Sequence, residues 1–388
     1  MIVQERNEID KSTFEKTSNV RCKHIDIIKG FAMLSIIIMH CTSSFISRDI
    51  GAYIGYSWNV SVFFIIGGFF LNMEKLNSPI SFFIGKLKGL YLPASIIYSV
   101  NVLLHNFYVS IGWYPLGVSH HPLVKPFEYY ELNDIIIKIV QIFFVGGSGE
   151  LAMGAMWFLY TMLYAFLGII LIYWMISKVL KNPEIKFHWM SVILFLIAVI
   201  SCVLTNKYNI TINRLNTAFT AMFLIWFGMI INRKWQWKYD QWWGFSFAVI
   251  AFVHCVLMRK GDMMLANNKY QDLVLLLVGS SSLIYVWGFI GKKIESSIVG
   301  NFFALMGKES LYLMAFHIIG FLFCNQILEM FDFFSLSDSK GLYTYNMGSN
   351  AYLLLVYVIF GIGTSFVIIS TYRWIKKFIV NNVVLKIL

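Results

Sequence analysis

Hydrophobic positions in this chain come in long unbroken runs, separated by short polar breaks that are mostly basic. A strand of a membrane barrel would alternate apolar and polar residues, and these runs do not alternate, which disfavours that architecture. An α-helix needs about 20 apolar residues to cross a hydrocarbon core of about 30 Å. The pattern therefore predicts about ten transmembrane helices, over 25–45, 55–73, 88–112, 152–177, 190–206, 215–232, 242–258, 272–291, 310–330 and 351–372. The expected fold is an all-α, polytopic membrane bundle.

What lies between the runs is short, so one membrane domain over 25–372 is expected, flanked by a polar segment 1–24 and a tail 373–388. The first segment mixes acids with Arg6, Lys11, Lys16, Arg21 and Lys23 and lacks the pattern of a cleavable leader, so the first helix is expected to stay as an anchor. The longest connection, 113–151, carries the pair His120–His121 and the acids Glu128, Glu131, Asp134 and Glu150. Within it, residues 135–145 are apolar but too short to span, which suits an interfacial or re-entrant helix, and GGSGE at 146–150 suits a flexible turn. Long connections in tight bundles tend to be functional or disordered.

Composition narrows the class further. Of 388 residues, 58% are hydrophobic and 13% charged, far from the balance of a soluble domain. The formal charge of +11 would suit a nucleic-acid binder, yet the basic residues are scattered between apolar runs, so topology explains them and no nucleic-acid partner is expected. With the N-terminus inside, the inner segments collect 21 Lys and Arg and the outer ones 9, which predicts both termini in the cytoplasm of a multi-pass cell-membrane protein. The basic segment 259–271, placed outside, runs against that trend. Five cysteines have neither disulfide-framework nor zinc spacing.

Candidate chemistry concentrates in the first run, IDIIKGFAMLSIIIMHCTSSF, which places Asp26, Lys29 and His40 in a helix meant for lipid. Lys29 and His40 are eleven residues apart, so they share a helix face within about 20° and sit about 16 Å apart along it. A neutral imidazole suits general-base chemistry on a hydroxyl, and a buried lysine suits an anionic ligand such as phosphate. Lys29 would otherwise snorkel to the inner headgroups, and Asp26 is placed to pair with it.

Other stretches are weaker signals. Gly67–Gly68 interrupt an aromatic helix, either for close helix packing or to expose backbone to a substrate. Trp157, Tyr160 and Tyr164 line one side of MWFLYTMLY, as an interfacial belt or as a surface for stacking a sugar near the outer face. GKESLYLMAFH at 307–317 resembles a P-loop fragment, but its spacing to Gly300 is wrong and Glu309 stands where Ser or Thr is needed, which excludes nucleotide hydrolysis. It leaves Ser310, Tyr312 and His317 on a membrane helix. His120–His121 lack a third ligand at metal spacing, so no metal is expected.

These stretches together resemble the integral membrane acyltransferases of family 3, which O-acylate bacterial surface sugars. The first helix of that family carries a basic residue, ten residues, then His, commonly after Asp, matching Asp26, Lys29 and His40. FFIIGGF at 63–69 is similar to its FFxxSGF, with Gly67 in place of Ser. WFL at 157–159 and Ser310, Tyr312 and His317 also look like family positions. The departures are Lys29 where Arg is more usual, which loses bidentate geometry, and Gly67, which removes a hydroxyl.

The resemblance implies a membrane-embedded O-acyltransferase that moves acetyl from cytoplasmic acetyl-CoA, or another acyl-CoA, to a hydroxyl of a cell-surface glycan or its lipid-linked precursor. It implies no permanently bound cofactor. His40 would be the general base, Lys29 would hold an anionic part of the donor and Asp26 would orient it. Trp157, Tyr160, Ser310, Tyr312 and His317 would bind substrate. Two other classes fit the same residues. A flippase or transporter of a lipid-linked sugar would line its path with Lys29 and His40, and an unrelated membrane acyltransferase acting on proteins or lipids would use the late histidine, His317.

Overall fold

The computed structural model describes residues 22–42, 57–117, 127–147, 149–212, 214–258, 263–270, 272–333, 344 and 351–379. The pair His120–His121, residues 1–21 and residues 380–388 lie outside the described residues.

Backbone groups in lipid must bond within their own segment, and the apolar runs accordingly fold as helices. They are α1 (Lys23–Thr42), α2 (Ser57–Phe69), the single turn α3 (Met73–Leu76), α4 (Pro79–Lys86), α5 (Leu92–Leu103), α6 (His105–Ser110), α7 (Leu132–Val145) and α8 (Trp157–Val179). The second half adds α9 (Pro183–Tyr208), α10 (Leu215–Ile230), α11 (Trp242–Met258), α12 (Leu273–Ile294), α13 (Ile298–Lys308), α14 (Ser310–Met330) and α15 (Ala351–Ile379). Among the described residues the only strands are β1 (Met263–Met264) and β2 (Lys269–Tyr270), a two-rung antiparallel hairpin with Met263 opposite Tyr270.

Among the described residues, eight helical stretches are long and apolar enough to cross a membrane. The span expected over 242–258 is present as α11, at 17 residues just shorter than these eight, and of the one expected over 55–73 the described helix α2 covers 13 residues. The run expected at 88–112 is shifted to Pro79–Leu103, because α4 continues through a π-helical turn, Leu87–Tyr91, into α5. Pro93 sits in the first turn of α5 and has no N–H to give, which favours that widened turn just before it. The expected short helix of the long connection is present as α7, closed by Glu131 and Asp134 in a capping box and by Gly146 at φ 82°.

Polar caps set several boundaries. Asn182 accepts from Glu184 N at 2.9 Å and Ile185 N at 3.3 Å to start α9, and Asp272 accepts from Val274 N at 2.6 Å to start α12. Asn268, in the left-handed region at φ 53°, ties the hairpin to the ends of α9 and α10. Its amide donates to Ser201 Oγ and Thr205 Oγ1, each at 3.0 Å, and accepts from Thr220 Oγ1 at 2.9 Å.

Two backbone-to-backbone crossings bring the helices of the first half against those of the second. A Cβ on Gly307 would lie 1.8 Å from the Asp26 carbonyl oxygen, and one on Gly30 would lie 2.1 Å from that of Phe303, so α13 lies directly on α1. Gly68 and Gly228 join α2 to α10 in the same way, a Cβ on either lying 1.8 Å from the carbonyl oxygen of Ile225 or Ile65. Helix α1 is therefore central, touching α2, α12, α13, α14 and α15.

Candidate active site

The first helix carries its polar groups at two levels. Near its start, Lys29 Nζ lies 2.7 Å from Asp26 Oδ1, with Asp26 buried and Lys29 partly covered. The close seat of Gly307 on the Asp26 carbonyl fixes that turn from the opposite side. His40 is about 16 Å further along α1 by the helical rise, so ion pair and imidazole do not touch.

At the upper level, His40 is half-buried and lines a narrow cavity of about 20 Å³. Ile36 and Met39 flank it on α1, Val60 comes from α2, Ala155 and Phe158 from the approach to α8 and its first turn, and Met314 from α14. Trp157 supplies the facing aromatic wall. One turn past Met314, the ring of His317 lies 5.2 Å from the ring of His40, centroid to centroid, inclined at 44°.

His317 is fully buried, and its Nδ1 lies 2.8 Å from the Leu313 carbonyl oxygen. A carbonyl only accepts, so Nδ1 carries the proton and Nε2 presents its lone pair. Among the described residues Nε2 has no hydrogen-bond partner. A buried acceptor left unsatisfied costs about 1–3 kcal/mol, so its presence beside a second imidazole asks for a reason. Two imidazoles at this spacing can take a proton from a hydroxyl presented in the cavity and share it.

The remaining sequence-predicted residues sit elsewhere. Tyr160 is buried one turn beyond Trp157, its hydroxyl 3.3 Å from Ser95 Oγ and its ring under Gly146, so it is not a cavity wall. Ser310 and Tyr312 open α14, three and five residues past Gly307, and so lie toward the Asp26 level, below His317. Of the glycine pair, Gly68 makes the crossing to α10, whereas Gly67 would meet only the Met162 methyl, at 3.4 Å.

Two features escaped the sequence reading. The first is a buried cluster between α6 and the long connection, where His105 Nδ1 faces Glu150 Oε1 at 2.9 Å and His105 Nε2 faces the Glu128 carbonyl at 2.9 Å. A carbonyl only accepts, so Nε2 donates to it, and Nδ1 faces the Glu150 carboxyl. Tyr130 stacks on that ring at 3.4 Å and donates to Glu150 at 2.8 Å, while burial and the Glu150 carboxylate hold its phenol well above the usual range. Glu150 directly precedes the 3-10 turn Leu151–Met156 that delivers Trp157, so the cluster anchors the cavity wall. The second is Arg214, whose guanidinium lies over the Trp157 ring, 5.4 Å from its centroid. A histidine inside an apolar run, as at 105, was a signal for the first; Arg214 read only as one of the charges that set topology.

Comparison with known proteins agrees with this construction. No curated protein and no solved structure matches the chain. The acyltransferase domain of the acyltransferase 3 family matches residues 23–379, from the first residue of α1 to the last of α15, so the match spans both polar levels of α1 and every wall of the cavity. This chain, an all-α polytopic membrane protein, therefore belongs to the acyltransferase 3 family.

Proposed function

We propose that the protein transfers an acetyl group, or another acyl group, from cytoplasmic acyl-CoA to a hydroxyl of a cell-surface glycan or its lipid-linked precursor. The observation that carries this reading is His40 in the wall of a cavity, beside His317 and facing Trp157, in a chain of the acyltransferase 3 family. The acceptor hydroxyl attacks the thioester carbonyl, forming the C–O bond while the C–S bond breaks. His40 takes the hydroxyl proton and returns it to the departing thiolate, releasing the free thiol of CoA.

The ion-paired Lys29 and Asp26 lie at the other level of α1, where a long donor can place an anionic group while its thioester reaches His40. Ser310 and Tyr312, on the same side of the bundle, belong with the donor. Trp157 gives a sugar ring a face to stack on, and Tyr160 supports it from one turn below. No metal or bound cofactor takes part in this scheme.

The test is transfer of label from acetyl-labelled acetyl-CoA into the glycan and glycolipid fraction of membranes holding the protein. His40→Ala and His40→Gln should each lower incorporation about 100-fold or more, the usual worth of a positioned base. Undiminished transfer by His40→Gln would remove the base role. Wild type that is folded yet turns over no acetyl-CoA with any acceptor would instead favour a transporter of lipid-linked sugars.

A further inference from the structure

Arg214 is half-buried where α10 begins, and its Nη1 donates to the Ala266 carbonyl at 3.4 Å. That carbonyl is held in place by the Asn268 network of the hairpin, so the arginine is braced from behind. A guanidinium has five N–H donors, and among the described residues no carboxylate lies within ion-pair distance of this one. The charged and titratable neighbours that act on it are the phenols of Tyr98 and Tyr164, and burial pulls it below its ordinary value. A partly desolvated cation without a counter-charge is costly; Lys29 meets that cost with Asp26, and Lys86 with the rings of Phe82 and Phe166.

What the guanidinium does touch is the ring of Trp157. That ring is also a wall of the His40 cavity, so a molecule stacked on Trp157 with a hydroxyl toward His40 has Arg214 within reach of another substituent. Guanidinium forks bind oxyanions in two parallel bonds, and stacking on an aromatic face fixes the plane of the fork.

We propose that Arg214 and Trp157 form an oxyanion subsite for the acceptor, selecting a sugar that carries a phosphate or a carboxylate. The inference rests on the acyl-transfer reading for the word acceptor, but its test does not use catalysis. Purified protein in detergent is titrated with labelled glucose 1-phosphate, and glucuronate and glucose compete for it. Wild type should prefer one or both charged sugars to glucose by tenfold or more, and the better competitor tells phosphate from carboxylate.

Arg214→Gln should abolish that preference, and Arg214→Lys, which keeps the charge but not the fork, should retain part of it. Lys207→Gln, an exposed cation seven residues earlier, should leave it unchanged. Equal binding of charged and neutral sugars by wild type overturns the proposal, as does a loss in Arg214→Gln that is just as large for glucose. The acetyl-CoA assay reports separately on the transferase reading, so either can fail alone.

Discussion

Glu150 is buried to 2% exposure with its carboxyl set between the imidazole of His105 and the phenol of Tyr130, an arrangement in which removing one partner strands the others. Glu150→Gln should therefore destabilise the protein by about 1–3 kcal/mol, read as a fall in thermal midpoint in detergent. Replacing both partners by apolar residues, His105→Phe with Glu150→Leu, should cost less than that single change. His317 makes the opposite prediction. Because Nε2 is unsatisfied, His317→Leu should leave the thermal midpoint level or higher while lowering acyl transfer at least about tenfold; a variant with full transfer would reduce His317 to packing. His40 was legible in the sequence because a charge-capable residue in an apolar run is conspicuous. The His105 cluster was not, since its members are up to 45 residues apart and only folding of the long connection brings them together. Arg214 was hidden for another reason: at the edge of a span, a functional arginine and a topological one look alike.

Helices were legible as elements wherever an apolar run was long, and their ends and crossings much less so. The run 310–330 forms α14 as expected, whereas the π-helical turn before Pro93 and the break at Leu104 moved the third span by about ten residues. The pair Gly67–Gly68 shows why: two adjacent glycines look equal in sequence, but helical phase turns one onto α10 and leaves the other with room. Helix α13 went unread because its 11 residues are too few to span, yet it seats α1 through Gly307. The fragment that resembled a P-loop is thus a helix junction, with Gly307 in the crossing and the Glu309 carboxylate 2.7 Å from Arg373 on α15. Gly307→Ala should force α13 off α1, lose about 2 kcal/mol or more of stability and disturb the Asp26–Lys29 pair. Gly363→Ala, with nothing within 4 Å of the new methyl, is the matched control and should be silent in the same melting experiment.

At the scale of the molecule, charge separates the two ends of the bundle. The start of α1 meets the end of α12 through Gly291 and Ile27, and His24 rests 5.7 Å from Tyr239, which places Lys238, Lys292 and Lys293 at that end. Arg373, joined to Glu309, brings the end of α15 with Lys376 and Lys377 to the same place. Arg233 and Lys234 close α10 there, whereas Arg214 opens it, some twenty residues and about 30 Å away. The His40 cavity, Trp157 and Arg214 therefore share the end opposite the basic one. If basic residues mark the cytoplasmic side, donor and acceptor approach α1 from opposite faces, the donor at Lys29 and the acceptor at His40. Of the segment 259–271 that ran against this trend, Arg259 and Lys260 lie outside the described residues, and Lys269 is exposed on β2 at the Arg214 end. In a Cys22→Ser background, Lys293→Cys and Lys376→Cys should react with a membrane-impermeant maleimide only from the cytoplasmic side, and Lys207→Cys only from outside. The reverse pattern would put the cavity on the side where acyl-CoA is found. An acceptor in the outer leaflet would then have no route to His40, and the glycan would have to be acylated before it crosses the membrane.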